Sequence, residues 1–184
     1  MTASRGTAHL AISVLTTVVG FDDEIQGNGV AVFDSGAADI SWDSVVGPTR
    51  EIVTGDQLFV QLEPPSGAWL EIPADEWTPT AGAGRPLQGL DSLMGVRATG
   101  EELLDGVATT RYTGSLPLTG NTAGLGLNEQ ALRLVAADPS ARLEITVWVD
   151  QQGLIVRVMR TLVSTTDVSA SNVTRLDDFG LAAA

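Results

Sequence analysis

Apolar and polar residues alternate with a period of two along most of the chain, and turn residues separate the alternating stretches. In the first stretch, Leu10, Ile12 and Val14 fall on one face. This pattern is typical of half-buried antiparallel strands. Gly27 and Gly29 within the second stretch predict a bulge or strong curvature there. We predict about ten strands from eleven candidate stretches, at residues 7–19, 25–34, 37–43, 50–54, 57–62, 68–72, 97–104, 107–116, 142–149, 154–163 and 168–176.

Two segments have helical spacing instead. Residues 87–94 place their large apolar side chains on one helical face, although Gly89 weakens the helix. Residues 126–137 predict a second helix, with Asn128 as its N-cap. The predicted fold is a single α+β domain over residues 1–184, in which two helices cover the concave face of one large, curved antiparallel sheet. A sheet this wide must curl, and its concave face is a candidate ligand cavity.

The composition narrows the possible functions. The 184 residues include 23 Asp and Glu, 10 Arg and one His, with neither Lys nor Cys, and the net charge is −13. So acidic a chain is poorly suited to nucleic acid or to electrostatic docking on anionic lipid surfaces. Disulfides, thiolate metal sites and Schiff-base chemistry are excluded within this chain. No apolar run approaches the roughly 20 residues that a membrane-spanning helix needs.

One short motif suggests catalysis. Phe33-Asp34-Ser35-Gly36 resembles the active-site turn of aspartic proteases, in which two Asp residues share one proton. A single copy would require a homodimer, and the same tripeptide is common in hairpin turns. A dimeric protease that uses Asp34 is therefore only a remote alternative. We predict a protein that is not an enzyme, with no catalytic residues, no cofactor and no metal site.

Three longer motifs, taken in order, carry a family resemblance. Residues 104–114 (LDGVATTRYTG), residues 147–154 (VWVDQQGL) and residues 176–180 (LDDFG) resemble the corresponding hairpins and last strand of actinobacterial LppX/LprA/LprG-type lipoproteins. The opening strand, the 55–62 hairpin and Trp69-Leu70 follow the expected order, so the resemblance covers nearly the whole chain.

The resemblance implies a LolA/LolB-like fold, which is an incomplete antiparallel barrel with helices over its concave side. Members of this family carry or sense lipids and lipoprotein acyl chains between the sheet and the helices. They are exported and anchored through a lipidated N-terminal Cys. This sequence contains no Cys, so we expect an extracytoplasmic domain of the cell envelope whose signal peptide and anchor have been removed.

We therefore predict binding or transport of a lipid or a lipidated molecule, with segment 87–94 and loop 73–86 as a lid. The alternative is an envelope sensor or interaction module on the same fold that carries no ligand. Strand alternation selects the candidate cavity residues, although a slip of one residue would invert the face. They are Leu10, Ile12, Val14, Val30, Val32, Ile40, Trp42, Val60, Leu90, Leu93, Met94, Val147 and Val149.

Overall fold

The computed structural model describes residues 2–18, 21–43, 47–54, 57–73, 85–118 and 129–180. Eleven strands and one α-helix lie in these ranges, with short 3-10 helices at Ala3–Arg5 and Leu90–Ser92. The strands are β1 (Thr7–Val18), β2 (Phe21–Val32), β3 (Ala37–Asp43), β4 (Thr49–Thr54), β5 (Gln57–Leu62), β6 (Trp69–Ile72), β7 (Met94–Leu104), β8 (Val107–Pro117), β9 (Arg142–Asp150), β10 (Ile155–Val163) and β11 (Val168–Asp177). The helix α1 spans Glu129–Ala136.

All eleven strands form one antiparallel sheet in the order β6-β5-β4-β3-β2-β1-β11-β10-β9-β8-β7. Every neighbouring pair is consecutive in the chain except β1 and β11, which meet in the middle of the sheet. There, Leu10 pairs with Leu176, and the His9 Nδ1 lies 3.0 Å from the Asp177 Oδ1. The sheet is open, with β6 and β7 as its two edges. The predicted large antiparallel sheet is therefore confirmed.

The prediction of two helices is wrong. The chain from Leu87 onward forms only the 3-10 helix Leu90–Ser92, because Gly89 is left-handed (φ 78°) and Leu93 is extended (φ −62°, ψ 131°). A regular α-helix cannot pass through either conformation. Met94 then begins β7 opposite Ser115. The other predicted helix contains α1, whereas its predicted start at 126–128 lies outside the described residues.

The core lies on one face of the sheet, which we call the core face; the other is the outer face. Along β1, Ala8, Leu10, Ile12 and Val14 are at most 4 % exposed. Alternation and register place the buried residues of the neighbouring strands beside them. Val135 of α1 is fully buried in the same cluster. The main cluster is completed by Ala31, Ala38, Ile40, Trp42, Leu116, Leu143, Ile145, Val147, Val158, Leu162, Val168, Ala170 and Leu176.

Two glycines of β2 allow this strand to pack closely against β3. A Cβ atom on Gly29 would lie 2.1 Å from the Asp39 carbonyl oxygen, and one on Gly27 would lie 2.5 Å from the Trp42 ring. The register between β2 and its two neighbours runs without interruption through both positions, so the predicted bulge does not form. These glycines instead make room on the core face for Trp42 and Ile40.

Candidate functional site

The core face brings together most of the predicted cavity residues. Leu10, Ile12, Val14, Ile40, Trp42 and Val147 belong to its main cluster, and Leu90, Leu93 and Val149 pack against that cluster while partly buried. Val60 faces the same way but belongs to a smaller cluster with Val53 and Leu58. The binding role of all these residues remains a prediction.

Three of the predicted cavity residues lie elsewhere. Val30 pairs with His9 and Val32 with Thr7, whereas Leu10 pairs with Gly29. Because successive side chains point to opposite faces, both valines lie on the outer face. Met94 is 56 % exposed. Placing these three side chains with Leu10 was therefore wrong.

The core face also carries buried polar groups that the sequence pattern did not reveal. Arg160, Asn172 and Thr174 are at most 6 % exposed. Arg160 pairs with Asn172 across β10 and β11, and the Thr174 hydroxyl donates to the Asn172 Oδ1 at 3.1 Å. Asn172 in turn lies opposite Val14 of β1, close to the middle of the sheet.

Arg160 holds a covering segment against this face. Its guanidinium donates to the carbonyl oxygens of Pro86 at 2.8 Å and Gln88 at 3.1 Å. Burial lowers the pKa of Arg160 to about 10, so the group remains charged at neutral pH. The next residues, Leu90 and Leu93, pack on the core. Residues 85–93, which we call the cover segment, therefore lie over the core face. Most of the predicted lid loop 73–86 lies outside the described residues.

The described residues also form a groove on the outer face, with a volume of about 960 Å³. Val30, Val32 and Ile52 contribute apolar walls. The Arg50 side chain donates to the Asp39 carboxylate through its Nε at 2.8 Å and through an Nη at 2.6 Å. This carboxylate raises the pKa of Arg50. Pro64 and Pro65 complete the rim. The groove is a second candidate site for an apolar ligand, besides the core face.

The groups that could support catalysis are dispersed. Asp34 is exposed in the turn between β2 and β3, where the Ser35 hydroxyl accepts a hydrogen bond from the Ala37 N–H at 3.2 Å. A shared proton needs two adjacent carboxylates in a shielded site, so this exposed turn does not support the protease reading. His9 is half-exposed and contacts Asp177. Within the described ranges, His, Asp and Glu form no cluster of three that could hold a metal ion.

No helix in the described part of the chain combines the length and apolar character that crossing a membrane requires.

Comparison with known proteins gives a likeness of fold. Lipoprotein LppX from Mycobacterium tuberculosis superimposes with a TM-score of 0.56 at 18% sequence identity, over 99% of this chain and 91% of LppX. LprF from Mycobacterium bovis gives a TM-score of 0.55 at 14% identity, over 99% of this chain and 90% of LprF. No family model matches the sequence, and no curated protein matches it. The predicted likeness to LppX-type lipoproteins is thus confirmed for the fold.

Proposed function

We propose that this chain is a non-catalytic domain of the cell envelope that binds a lipid, or the acyl chains of a lipidated molecule, on its core face. The observation that carries the proposal is the broad apolar core face, against which the cover segment packs, on a fold shared with a lipoprotein over 99% of this chain and 91% of that lipoprotein. Burial of each CH₂ group contributes about 0.8 kcal/mol, so a long acyl chain can bind without charged contacts. The acidic composition supports the same view, because it offers little to hold an anionic head group.

Binding requires the cover segment to move away from the sheet. It is held there by the two Arg160 hydrogen bonds and by the partly buried Leu90 and Leu93. It contains only a short 3-10 helix. Few hydrogen bonds and little regular structure are typical of segments that open at low free-energy cost. We propose that this segment is the lid.

A filling substitution tests the site. Ala170 is 3 % exposed on the core face, opposite Thr16, whereas Ala11 lies on the outer face of β1. We expect Ala170→Leu to weaken the binding of a fluorescent fatty acid about tenfold or more, because the larger side chain takes up apolar space on the core face. Ala11→Leu is the matched control and should bind as the unchanged protein does. Thermal melts establish that each variant is folded.

A second pair of variants locates the ligand. Val30→Arg places a charge in the outer groove and leaves the core face intact. If Val30→Arg abolishes fatty acid binding while Ala170→Leu does not, the ligand lies in the outer groove and the proposed site is wrong. If the delipidated protein takes up no fatty acid and native mass spectrometry finds no co-purified lipid, the lipid-binding function itself fails.

A specific observation favours a second candidate, an interaction module that carries no ligand. The edge strand β7 exposes Met94, Val96 and Leu103 by 56 %, 54 % and 72 %. Exposed apolar side chains on a sheet edge are typical of surfaces that bind another chain. If lipid binding fails, charged substitutions at these three positions should abolish capture of an envelope partner that the unchanged protein retains.

A further inference from the structure

The middle of the core face has an unsatisfied hydrogen-bond donor. Asn172 is fully buried, and its amide nitrogen has no hydrogen-bond partner in the described part of the chain. Among the described residues, the only hydrogen bond of the side-chain amide is the one that its oxygen accepts from Thr174. An NH₂ group carries two hydrogens, so at least one N–H lacks an acceptor whichever way the amide is turned. Buried donors almost always have partners, which makes this one a candidate for ligand contact.

The surroundings of Asn172 favour an acceptor oxygen. Arg160 lies directly opposite on β10, where Cβ atoms of paired residues are about 4.5–5.5 Å apart. Its guanidinium brings a positive charge, and its hydrogen bonds go to the carbonyl oxygens of Pro86 and Gln88. Among the neighbours across β1 and β10, Val14, Ile12 and Val158 are apolar, whereas the buried Thr16 carries a hydroxyl group. Asn172 and Arg160 therefore form a small polar region within a largely apolar surface.

A second donor lies on the same face. The Trp42 indole nitrogen is buried and likewise without a partner among the described residues, and an indole N–H can only donate. Trp42 is three strands away from Thr174, along the row Trp42, Gly27, Ile12, Thr174. Thus two buried donors of the core face, on Asn172 and Trp42, have no acceptor among the described residues.

We infer that the ligand of the core face carries an acceptor oxygen, as in a carboxylic ester or amide, and that this oxygen accepts a hydrogen bond from the Asn172 side chain beside Arg160. The inference rests on the proposed lipid-binding function and names the side chain that contacts the polar end of the bound acyl chain. An ester or amide oxygen satisfies this donor, and the positive charge of the neighbouring Arg160 favours an acceptor oxygen at the same place.

The test compares two apolar ligands of matched length, methyl hexadecanoate and octadecane, as competitors of a bound fluorescent apolar probe. We expect the unchanged protein to prefer the ester about tenfold, which is the effect of one hydrogen bond in a buried site. Asn172→Ala and the isosteric Asn172→Asp should bring this preference close to one, because the first removes the donor and the second replaces it with an acceptor. Asn28→Ala, on the outer face of β2 opposite Ala11, is the matched control and should keep the preference.

The outcomes separate the two proposals. Binding of neither ligand overturns the lipid-binding function. Equal binding of both ligands by the unchanged protein overturns the role of Asn172 and leaves lipid binding standing. A preference that survives in a folded Asn172 variant also overturns it. If both variants fail to fold, equal binding of the two ligands by the unchanged protein still overturns the inference.

Discussion

The close packing of β2 against β3 predicts that one methyl group added at Gly29 strongly destabilises the fold. Gly29→Ala would place a Cβ atom 2.1 Å from the Asp39 carbonyl oxygen and 2.8 Å from the Ile40 Cα. Both are backbone atoms of a paired strand, so neither can rotate away, and relief requires the two strands to separate. We expect a loss of about 3 kcal/mol in the free energy of unfolding, at the upper end of overpacking costs. For a chain of this length, that loss lowers Tm by roughly 6–12 °C.

A matched glycine separates the clash from ordinary backbone strain. Gly106 has a φ of 84° in the turn between β7 and β8, and no atom would lie within 4 Å of its added Cβ. Gly106→Ala should therefore cost only the left-handed strain of about 1–2 kcal/mol. Thermal unfolding followed by circular dichroism, together with urea titration, measures both variants. If Gly29→Ala melts within 2 °C of the unchanged protein, or no lower than Gly106→Ala, the packing argument is wrong.

Three further predictions concern the polar and exposed side chains. The Asp138 carboxylate accepts hydrogen bonds from Ser140 and from the Thr165 N–H, which hold its pKa well below the ordinary 3.8. In an acid titration, the stability that this carboxylate contributes should be complete above pH 4 and should be lost as the pH falls toward the lowered pKa. The variant Asp138→Asn should be less stable at neutral pH and should not show this pH dependence. The buried Gln61 amide donates to the Gly67 carbonyl oxygen at 2.7 Å, and Gln61→Ala should cost about 1–3 kcal/mol in a urea titration; an unchanged midpoint would contradict it. Asp34→Asn should melt within about 2 °C of the unchanged protein because Asp34 is exposed. A peptidase activity that is lost in this variant would support the protease hypothesis.

The sequence pattern predicted the strands well and the faces less well. Alternation in β1 placed Leu10, Ile12 and Val14 together because their neighbours are small or polar. In β2 the pattern was misleading, since the core face there carries Gly27 and Gly29 and the outer face carries valines. Large side chains from β3 fill the space above these glycines, so local hydrophobicity pointed to the opposite face. Only the register of β2 with β1 shows that its glycines lie on the core face and its valines on the outer face.

The helical spacing of residues 87–94 was misleading for a different reason. Leu90 and Leu93 do pack on the core, as a helix would require, but the left-handed Gly89 prevents continuous helix. Backbone conformation at a glycine cannot be inferred from the spacing of its apolar neighbours. The buried Arg160 and Asn172 were also missed, because single polar residues within an alternating strand are usually assigned to the solvent side.

The pairing of β1 with β11 has a consequence for how the chain tolerates truncation. In many sheets a terminal strand lies at an edge, and its removal exposes one new edge. Here the first and last strands form the central seam between two meanders, β1–β6 and β7–β11. Loss of β1 or β11 would remove a strand from the middle of the eleven-stranded sheet and leave the strands on both sides of the gap unpaired. The two halves of the sheet thus depend on each other through β1 and β11, and a circular permutant that links β11 directly to β1 should preserve the pairing that deletion of either strand destroys.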